Sequence, residues 1–210
     1  MRVDLLSLAS DRRKGRVQGV TSVCSAHPIV LRAALRFAAQ NGGTALIEAT
    51  CNQVNHQGGY TGMQPADFAA LVRQIAVEEG CPESLILLGG DHLGPNPWRD
   101  QSAEAAMAEA GRMVAAYVAA GFHKIHLDAS MGCKGEPAAL DDEATAARAV
   151  RLAAVAEETA GRAGLSPPVY VIGTEVPPPG GQSGGHEGPA VTPVEDAERG
   201  LDLTREAFAR

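Results

Sequence analysis

The chain lacks several patterns that would place it in a common class of small protein. Its four cysteines, Cys24, Cys51, Cys81 and Cys133, form no Cys-x-x-Cys pair. That spacing argues against a zinc ribbon and a disulfide framework, and it favours free thiols in a reducing compartment. No apolar run approaches the length of a membrane span, and the N-terminus lacks the order of a signal peptide. We therefore expect a cytoplasmic protein with no membrane partner.

Positive charge, aromatic residues and nucleotide-binding motifs are also scarce. The net charge of −7 argues against a nucleic-acid partner. Aromatic residues make up only 4% of the chain, so small side chains must do much of the packing. No Gly-x-x-x-x-Gly-Lys-Ser/Thr loop is present, and no Gly-x-Gly-x-x-Gly turn follows the first predicted strand. We therefore expect no nucleotide cofactor, which disfavours a sugar-phosphate kinase.

Short apolar runs alternate along the chain with segments of helical periodicity. The runs are rich in β-branched and aliphatic residues, as buried parallel strands are. Strict alternation of strands and helices predicts a parallel sheet with right-handed crossovers. The five predicted strands cover residues 19–24, 44–50, 85–88, 124–128 and 169–174. The predicted helices lie around residues 28–38, 65–75 and 106–118, from 141 to about 162, and from 192 onward.

Two α/β architectures fit this order, a doubly wound open sheet and a (β/α)8 TIM barrel. A polar side chain follows every predicted strand, which favours the barrel, because barrel active sites lie at the carboxyl ends of the strands. Only five β/α units are present, whereas a barrel needs eight. We therefore expect residues 1–210 to form a single domain that supplies about the first five units of an incomplete TIM barrel. Residues 1–15 are expected to form an N-terminal helical cap.

The segment from Ile86 to Trp98 gives the strongest indication of a functional site. An apolar strand leads through Gly89-Gly90 to two adjacent titratable residues, Asp91 and His92. Successive strand residues point to opposite faces, so both side chains face the same way only if the backbone turns there. The glycines permit such a turn. A carboxylate and an imidazole at this place predict a catalytic or metal site, with a structural pair as the alternative.

Several uncommon motifs together resemble one known family. They are Ile-Glu-Ala-Thr-Cys-Asn-Gln-Val at 47–54, Gly-Gly-Tyr-Thr-Gly-Met at 58–63, the 89–98 segment, and Tyr-Val-Ile-Gly-Thr-Glu-Val-Pro at 170–177. These motifs resemble the GatZ/KbaZ family of D-tagatose-1,6-bisphosphate aldolase subunits, commonly called the non-catalytic subunit. The likeness extends from about Gly15 to the C-terminus. Members of that family are longer and continue through the rest of a class II aldolase-like TIM barrel.

The resemblance implies a subunit that is required for full activity and stability of a catalytic class II tagatose-bisphosphate aldolase subunit. The complex would act in galactitol or N-acetylgalactosamine breakdown, and the ligand would be a sugar phosphate or ketose. The wider class II aldolases look similar at Asp91-His92, which implies a general acid followed by a metal ligand, and at His126-Leu127-Asp128. The segment from Gly180 to Glu187 resembles their mobile acidic loop, which makes Glu187 a second catalytic candidate.

The chemistry of such a site can be argued from the residue types themselves. Cleaving a carbon–carbon bond beside a ketone leaves an enediolate, which a divalent cation stabilises as a Lewis acid. Zinc or a similar metal is therefore the expected cofactor, with His92 as its imidazole ligand and Glu175 as a carboxylate ligand. Asp91 beside the metal would move a proton. The expected substrate-binding side chains, at or just after predicted strand ends, are Glu48, Asn52, Gln53 and Asp128.

The remaining histidines carry weaker indications. His27 fits a structural helix cap and a functional residue equally well. His126 lies within a predicted strand, and we interpret it as a packed core residue. His56 and His123 are expected to be solvated.

Two functions of different classes remain open. The first is the supporting subunit that the resemblance implies. The second is a self-sufficient, divalent-metal-dependent ketose aldolase or ketohexose epimerase, since the same apparatus serves retro-aldol cleavage and proton transfer. Either function places Asp91 and His92 at the floor of a cleft, with Asn96 and Trp98 on its wall.

Overall fold

A computed structural model describes residues 3–172 and 193–209 of the chain. Strands and helices alternate through most of that length. The strands are β1 (Ser22–Cys24), β2 (Ala45–Thr50), β3 (Ile86–Leu93), β4 (Lys124–Leu127) and β5 (Val169–Ile172). The helices are α1 (Leu8–Arg13), α2 (Pro28–Asn41), α3 (Pro65–Glu78), α4 (Ala103–Ala119), α5 (Asp142–Ala163) and α6 (Val194–Phe208).

The five strands form one sheet in the order β1-β2-β3-β4-β5, and every neighbouring pair is parallel. Strand order follows chain order, as in consecutive units of a β/α barrel, whereas the strand order of a doubly wound sheet reverses. In the described part of the chain β1 and β5 each pair on one side only. The prediction of an α/β fold with five parallel strands is therefore confirmed, and closure into a TIM barrel remains a prediction.

Local side-chain chemistry sets where the long helices begin. His27 caps α2, because its Nδ1 accepts a hydrogen bond from the backbone N–H of Ile29 at 3.2 Å. Ser102 caps α4 and Asp141 caps α5 in the same way, through side-chain oxygens that accept from backbone N–H groups. Of the two roles predicted for His27, the structure shows that of a helix cap.

The apolar core lies between the sheet and helices α2 to α5. Along β2, Ile47 and Ala49 belong to this core, whereas Glu48 between them points to the opposite face. The same alternation places Ile125 and Leu127 of β4 in the core. The opposite face, which would line the interior of a barrel, carries the polar residues of the predicted site.

Strand β3 differs from its predicted bounds, because it continues through Gly89 and Gly90 to Leu93. Its pairing with β4 shifts register between Gly90 and Leu93. The backbone turn that brings Asp91 and His92 together occurs at His92, whose φ is 50°. Among the described residues, no other non-glycine residue has a positive φ. The predicted turn is therefore present, and it lies at His92, two residues after the glycines.

The N-terminal segment lies at the amino ends of the strands, away from His92. The backbone N–H of Val3 donates to Thr44 Oγ1 at 2.8 Å, just before β2. Residues 3–6 line one side of a cavity of about 340 Å³, together with Leu87 and Val169. Helix α1 follows within the predicted cap. No helix in the described part of the chain is both long and apolar enough to span a bilayer.

Candidate functional site

Four titratable side chains meet at the carboxyl ends of β3 and β4. His126 Nδ1 lies 2.9 Å from Asp91 Oδ1, and His92 Nδ1 lies 3.0 Å from Asp128 Oδ2. The centroids of the two imidazole rings are 4.5 Å apart. Strand alternation points Asp91 and His126 to the interior face, and the irregular backbone at His92 brings its ring to the same place.

The hydrogen bonds of this cluster determine which imidazole nitrogens carry protons. His126 Nδ1 faces the Asp91 carboxylate and also lies 3.3 Å from the backbone N–H of His92. The two contacts require opposite protonation of Nδ1. The contact to Asp91 is shorter and involves a charged oxygen, which would repel an unprotonated Nδ1. Nδ1 therefore carries the hydrogen and donates it to Asp91. Nε2 of neutral His126 is then the nitrogen with a free lone pair.

The cluster also shifts the acidity of its neighbours. The hydrogen bond from His126 is the main cause that lowers the pKa of the Asp91 carboxyl well below its usual range, against the opposing effect of burial. Asp91 is therefore ionised at neutral pH. Burial, together with the hydrogen bond to Asp91, raises the pKa of the adjacent Cys24 thiol to about 12. Cys24 is therefore a thiol at neutral pH and lacks the nucleophilicity of a thiolate.

Asp91, His92 and His126 each offer one ligand atom, and these atoms all lie within 4.8 Å of one another. Two imidazoles and a carboxylate are a donor set that zinc and similar divalent metals accept. The residues present therefore fit the expected cation. His126 was interpreted as a core residue, and the structure instead places it in this cluster. Strand alternation, which puts His126 and Asp128 on one face, was the signal in the sequence that could have indicated this.

A buried ion pair lies one layer below the cluster, on the same face of the sheet. Lys124 Nζ is 2.6 Å from Glu48 Oε1, and the Ser22 hydroxyl donates to the other carboxylate oxygen. Glu48 is only 1% exposed. Gly89 of β3 separates Glu48 from Lys124 in the register, and a Cβ there would lie 2.4 Å from Glu48 Oε1. Gly89 therefore gives the pair room to form across β3.

The predicted substrate-binding residues occupy different positions around this site. Asp128 is part of the cluster, and Gln53 borders it, since its Oε1 lies 4.0 Å from Cys24 Sγ. Glu48 is below the cluster, and Asn52 is exposed on the loop after β2. Their binding roles remain predictions. Glu175 and Glu187, the predicted metal ligand and second catalytic residue, lie outside the described residues.

Trp98 does not face a cleft as expected. It is only 6% exposed, and its indole N–H donates to Gln57 Oε1 at 3.1 Å. Its ring packs against that of His56, whose Nε2 lies 2.8 Å from Glu109 Oε2. The prediction that His56 is solvated is therefore wrong. These contacts join the loops that follow β2 and β3, and so fix the rim of the site.

Comparison with known proteins relates the whole chain to one group. D-tagatose 6-phosphate 4-epimerase of Agrobacterium fabrum is 61% identical over 206 residues, which are 98% of this chain and 48% of that protein. D-tagatose-1,6-bisphosphate aldolase subunit GatZ of Salmonella heidelberg is 51% identical over 96% of this chain and 48% of its own length. The chain therefore spans about half the length of these curated relatives.

Two solved structures are also similar. A crystal structure titled as a probable tagatose 6 phosphate kinase from Sinorhizobium meliloti 1021 has a TM-score of 0.79 and 51% identity, and covers 91% of this chain and 45% of that one. The YdjI aldolase of Escherichia coli K12, with a TM-score of 0.50 and 16% identity, shares the fold over 98% of this chain and 59% of its own.

The sequence pattern of one family matches residues 5–210, nearly the entire chain. That range includes the four motifs that carry the resemblance, at 47–54, 58–63, 89–98 and 170–177. The chain belongs to the D-tagatose-1,6-bisphosphate aldolase subunit GatZ/KbaZ-like family.

Proposed function

We propose that this chain carries the cation site of a sugar-phosphate epimerase that acts on a ketohexose 6-phosphate such as D-tagatose 6-phosphate. The observation that carries the proposal is the convergence of Asp91, His92 and His126, whose ligand atoms lie within 4.8 Å of one another. A purely supporting subunit would not require this arrangement. The substrate class is suggested by the name of the Agrobacterium fabrum relative.

The reaction is inversion at C4, and the route that this donor set suits is a reversible retro-aldol step. The C4 hydroxyl loses its proton as the C3–C4 bond breaks. C4 becomes an aldehyde, and the bonding electrons remain on the three-carbon ketone fragment as an enediolate. After the aldehyde rotates, the enediolate attacks its other face, the C3–C4 bond forms again, and the C4 oxygen regains the proton, which gives the C4 epimer D-fructose 6-phosphate. A tagatose-bisphosphate aldolase breaks the same bond, so the two activities named among the relatives need the same chemistry.

A divalent cation held by Asp91, His92 and His126 would supply Lewis-acid stabilisation of the enediolate charge. Asp91 is ionised, so it suits a cation ligand or an acceptor for the substrate hydroxyl better than a general acid at neutral pH. His126 donates its Nδ1–H to Asp91 and presents Nε2. The Glu48–Lys124 pair below balances its own charge, so it adds no net charge to the site.

The test is a cation-dependent epimerase assay on the natural polypeptide that contains this chain. D-tagatose 6-phosphate is supplied with zinc, manganese or cobalt, and D-fructose 6-phosphate is detected by a coupled enzyme. We expect conversion that requires the cation and falls at least about 100-fold in Asp91→Asn. Asp100→Asn, which removes an exposed carboxylate, is the matched control and should convert normally. Conversion that is absent with every cation, or is unaffected by Asp91→Asn, would contradict the proposal.

The second candidate is a supporting subunit of a class II tagatose-bisphosphate aldolase, which the family description favours. The structure adds an apolar groove of about 520 Å³ beside β1, which pairs on one side only among the described residues, and Phe37 in this groove is 68% exposed. An exposed apolar surface of this kind suits contact with another protein, here the aldolase subunit. Adding the chain to the purified aldolase subunit should raise the turnover of the aldolase and lengthen the half-life of its activity at 37 °C. Unchanged values for both would exclude this role without affecting the epimerase test.

A further inference from the structure

Asp128 connects His92 to a buried serine. Its Oδ2 lies 3.0 Å from His92 Nδ1, and its Oδ1 accepts from the Ser130 hydroxyl at 3.0 Å and lies 3.4 Å from the Ser130 backbone N–H. Ser130 is 5% exposed. Both carboxylate oxygens of Asp128 are therefore engaged within the protein, which leaves this residue poorly suited to the substrate-binding role predicted from the sequence.

The backbone around Asp128 is fixed as firmly as its side chain. Its N–H donates to the carbonyl of Leu93 at 3.0 Å, which joins the ends of β3 and β4. Its own carbonyl oxygen lies where a Cβ on Gly94 would be, at 1.5 Å, so only glycine allows this approach. The carboxylate is thus held against the residue with the unusual φ, His92.

We infer that Asp128 and Ser130 are positioning residues that set the tautomer and orientation of His92. Oδ1 accepts from Ser130 and Oδ2 faces Nδ1, and a carboxylate oxygen that accepts there requires Nδ1 to carry the hydrogen, so the lone pair of the singly protonated ring lies on Nε2. That nitrogen is turned toward Asp91, with Nε2 4.0 Å from Asp91 Oδ1. Ser130 in turn holds the carboxylate in place. The inference rests on the proposed function only in that a cation would use this nitrogen.

Carboxylate partners of this kind are common behind metal-binding histidines, where they orient the ring and raise its basicity. Here one segment, His126-Leu127-Asp128-Ala129-Ser130, supplies a histidine of the cluster and the carboxylate that contacts the other histidine. Alternation along β4 puts His126 on the face of the cluster, whereas Asp128 and Ser130 follow the end of β4 at Leu127 and contact the neighbouring His92 through Asp128. Nothing in the motif alone indicates that Asp128 serves a histidine of the adjacent strand.

The first part of the experiment measures the tautomer directly, in the metal-free chain at pH 8. Ring nitrogen shifts of His92 are read from ¹H–¹⁵N correlation spectra and assigned by their loss in His92→Gln. We expect protonated Nδ1 and unprotonated Nε2 in the wild type. In Asp128→Asn the amide can donate to Nδ1, so the hydrogen should move to Nε2. Ser130→Ala should leave the tautomer of His92 unchanged, but the His92 ring signals should broaden or shift because Asp128 is held less firmly.

The second part measures affinity for zinc by competition with a chromophoric chelator. Asp128→Asn should bind about 10–100-fold more weakly, and Ser130→Ala should lose less. Asp100→Asn removes an exposed charge and should stay within about twofold of wild type. Circular dichroism of each variant, including the His92→Gln variant used for assignment, shows whether it is folded.

The two parts separate this inference from the proposed function. A wild-type His92 that carries its hydrogen on Nε2, or a tautomer that Asp128→Asn does not change, would overturn the inference even if the chain binds zinc. A wild-type chain with the expected tautomer that binds no zinc would support the positioning role and contradict the proposed cation site.

Discussion

Replacing Lys124 by methionine should destabilise the protein strongly, because it leaves the Glu48 carboxylate buried without its counter-charge. The two side chains are 12% and 2% exposed, and Nζ lies 2.6 Å from Oε1. Removing one partner of a buried ion pair costs about 3–5 kcal/mol. The Ser22 hydroxyl still donates to the other carboxylate oxygen, so we expect a loss near the lower end, about 3 kcal/mol.

A double variant separates the buried charge from lost packing. In Lys124→Met with Glu48→Gln, no charge remains in the layer, and the amide still accepts from Ser22. Replacing both partners of a buried pair by neutral groups is often close to neutral in stability, so the double variant should recover about 2 kcal/mol. Arg73→Met, which breaks the exposed Arg73–Glu83 pair, is the control and should cost under about 1 kcal/mol.

The assay is urea unfolding at pH 7, followed by the fluorescence of Trp98, the single tryptophan of the chain. Trp98 is buried, so its emission should report unfolding. The free energy of unfolding and the slope m are compared across the four proteins. The reasoning would be refuted if Lys124→Met cost no more than Arg73→Met, or if adding Glu48→Gln to Lys124→Met restored nothing.

Two further predictions concern close packing and thiol acidity. Gly94→Ala should lower the free energy of unfolding by about 3 kcal/mol or more, because its Cβ would lie 1.5 Å from the Asp128 carbonyl oxygen. Gly161→Ala in α5 is the control, since its Cβ meets nothing within 4 Å, and it should stabilise the protein by up to about 1 kcal/mol. Thermal unfolding compares the two variants, and similar losses of stability would contradict the packing argument. The raised pKa of Cys24, about 12, leaves little thiolate at pH 8, so alkylation by iodoacetamide should be at least about 100-fold slower than for an ordinary thiol and should become faster as pH rises toward 12. Asp91→Asn removes the carboxylate that helps raise this pKa and should speed the reaction, which peptide mass spectrometry measures; equal rates would exclude the assigned cause.

Features set by local physics were predictable from the sequence. The alternation of apolar strands with amphipathic helices gave the parallel sheet, and Asp141 marked the start of α5 because a side-chain oxygen satisfies the free N–H groups there. Asp91 and His92 were found because titratable residues at the end of an apolar strand are unusual. The resemblance added the family, which the comparison with known proteins confirms.

What could not be predicted depends on contacts between residues far apart in the chain. His126 joins the site through Asp91, 35 residues away, and only the register of β3 on β4 makes that contact. Gly89 suggested the end of a strand, but its lack of a side chain instead makes room for Glu48 of the neighbouring strand. His56 looked solvated because nothing nearby in sequence indicates Glu109, which lies on α4.

X-ray absorption at the zinc edge, on the chain loaded with one equivalent of zinc, shows whether Asp91, His92 and His126 bind one divalent cation. We expect the zinc ion to have two imidazole ligands in the wild type and one in His126→Gln. We also expect no sulfur ligand, because the ligand atoms that lie within 4.8 Å of one another belong to Asp91, His92 and His126, and no cysteine of the described residues joins that group. A sulfur ligand, or two imidazoles retained after His126→Gln, would contradict the account.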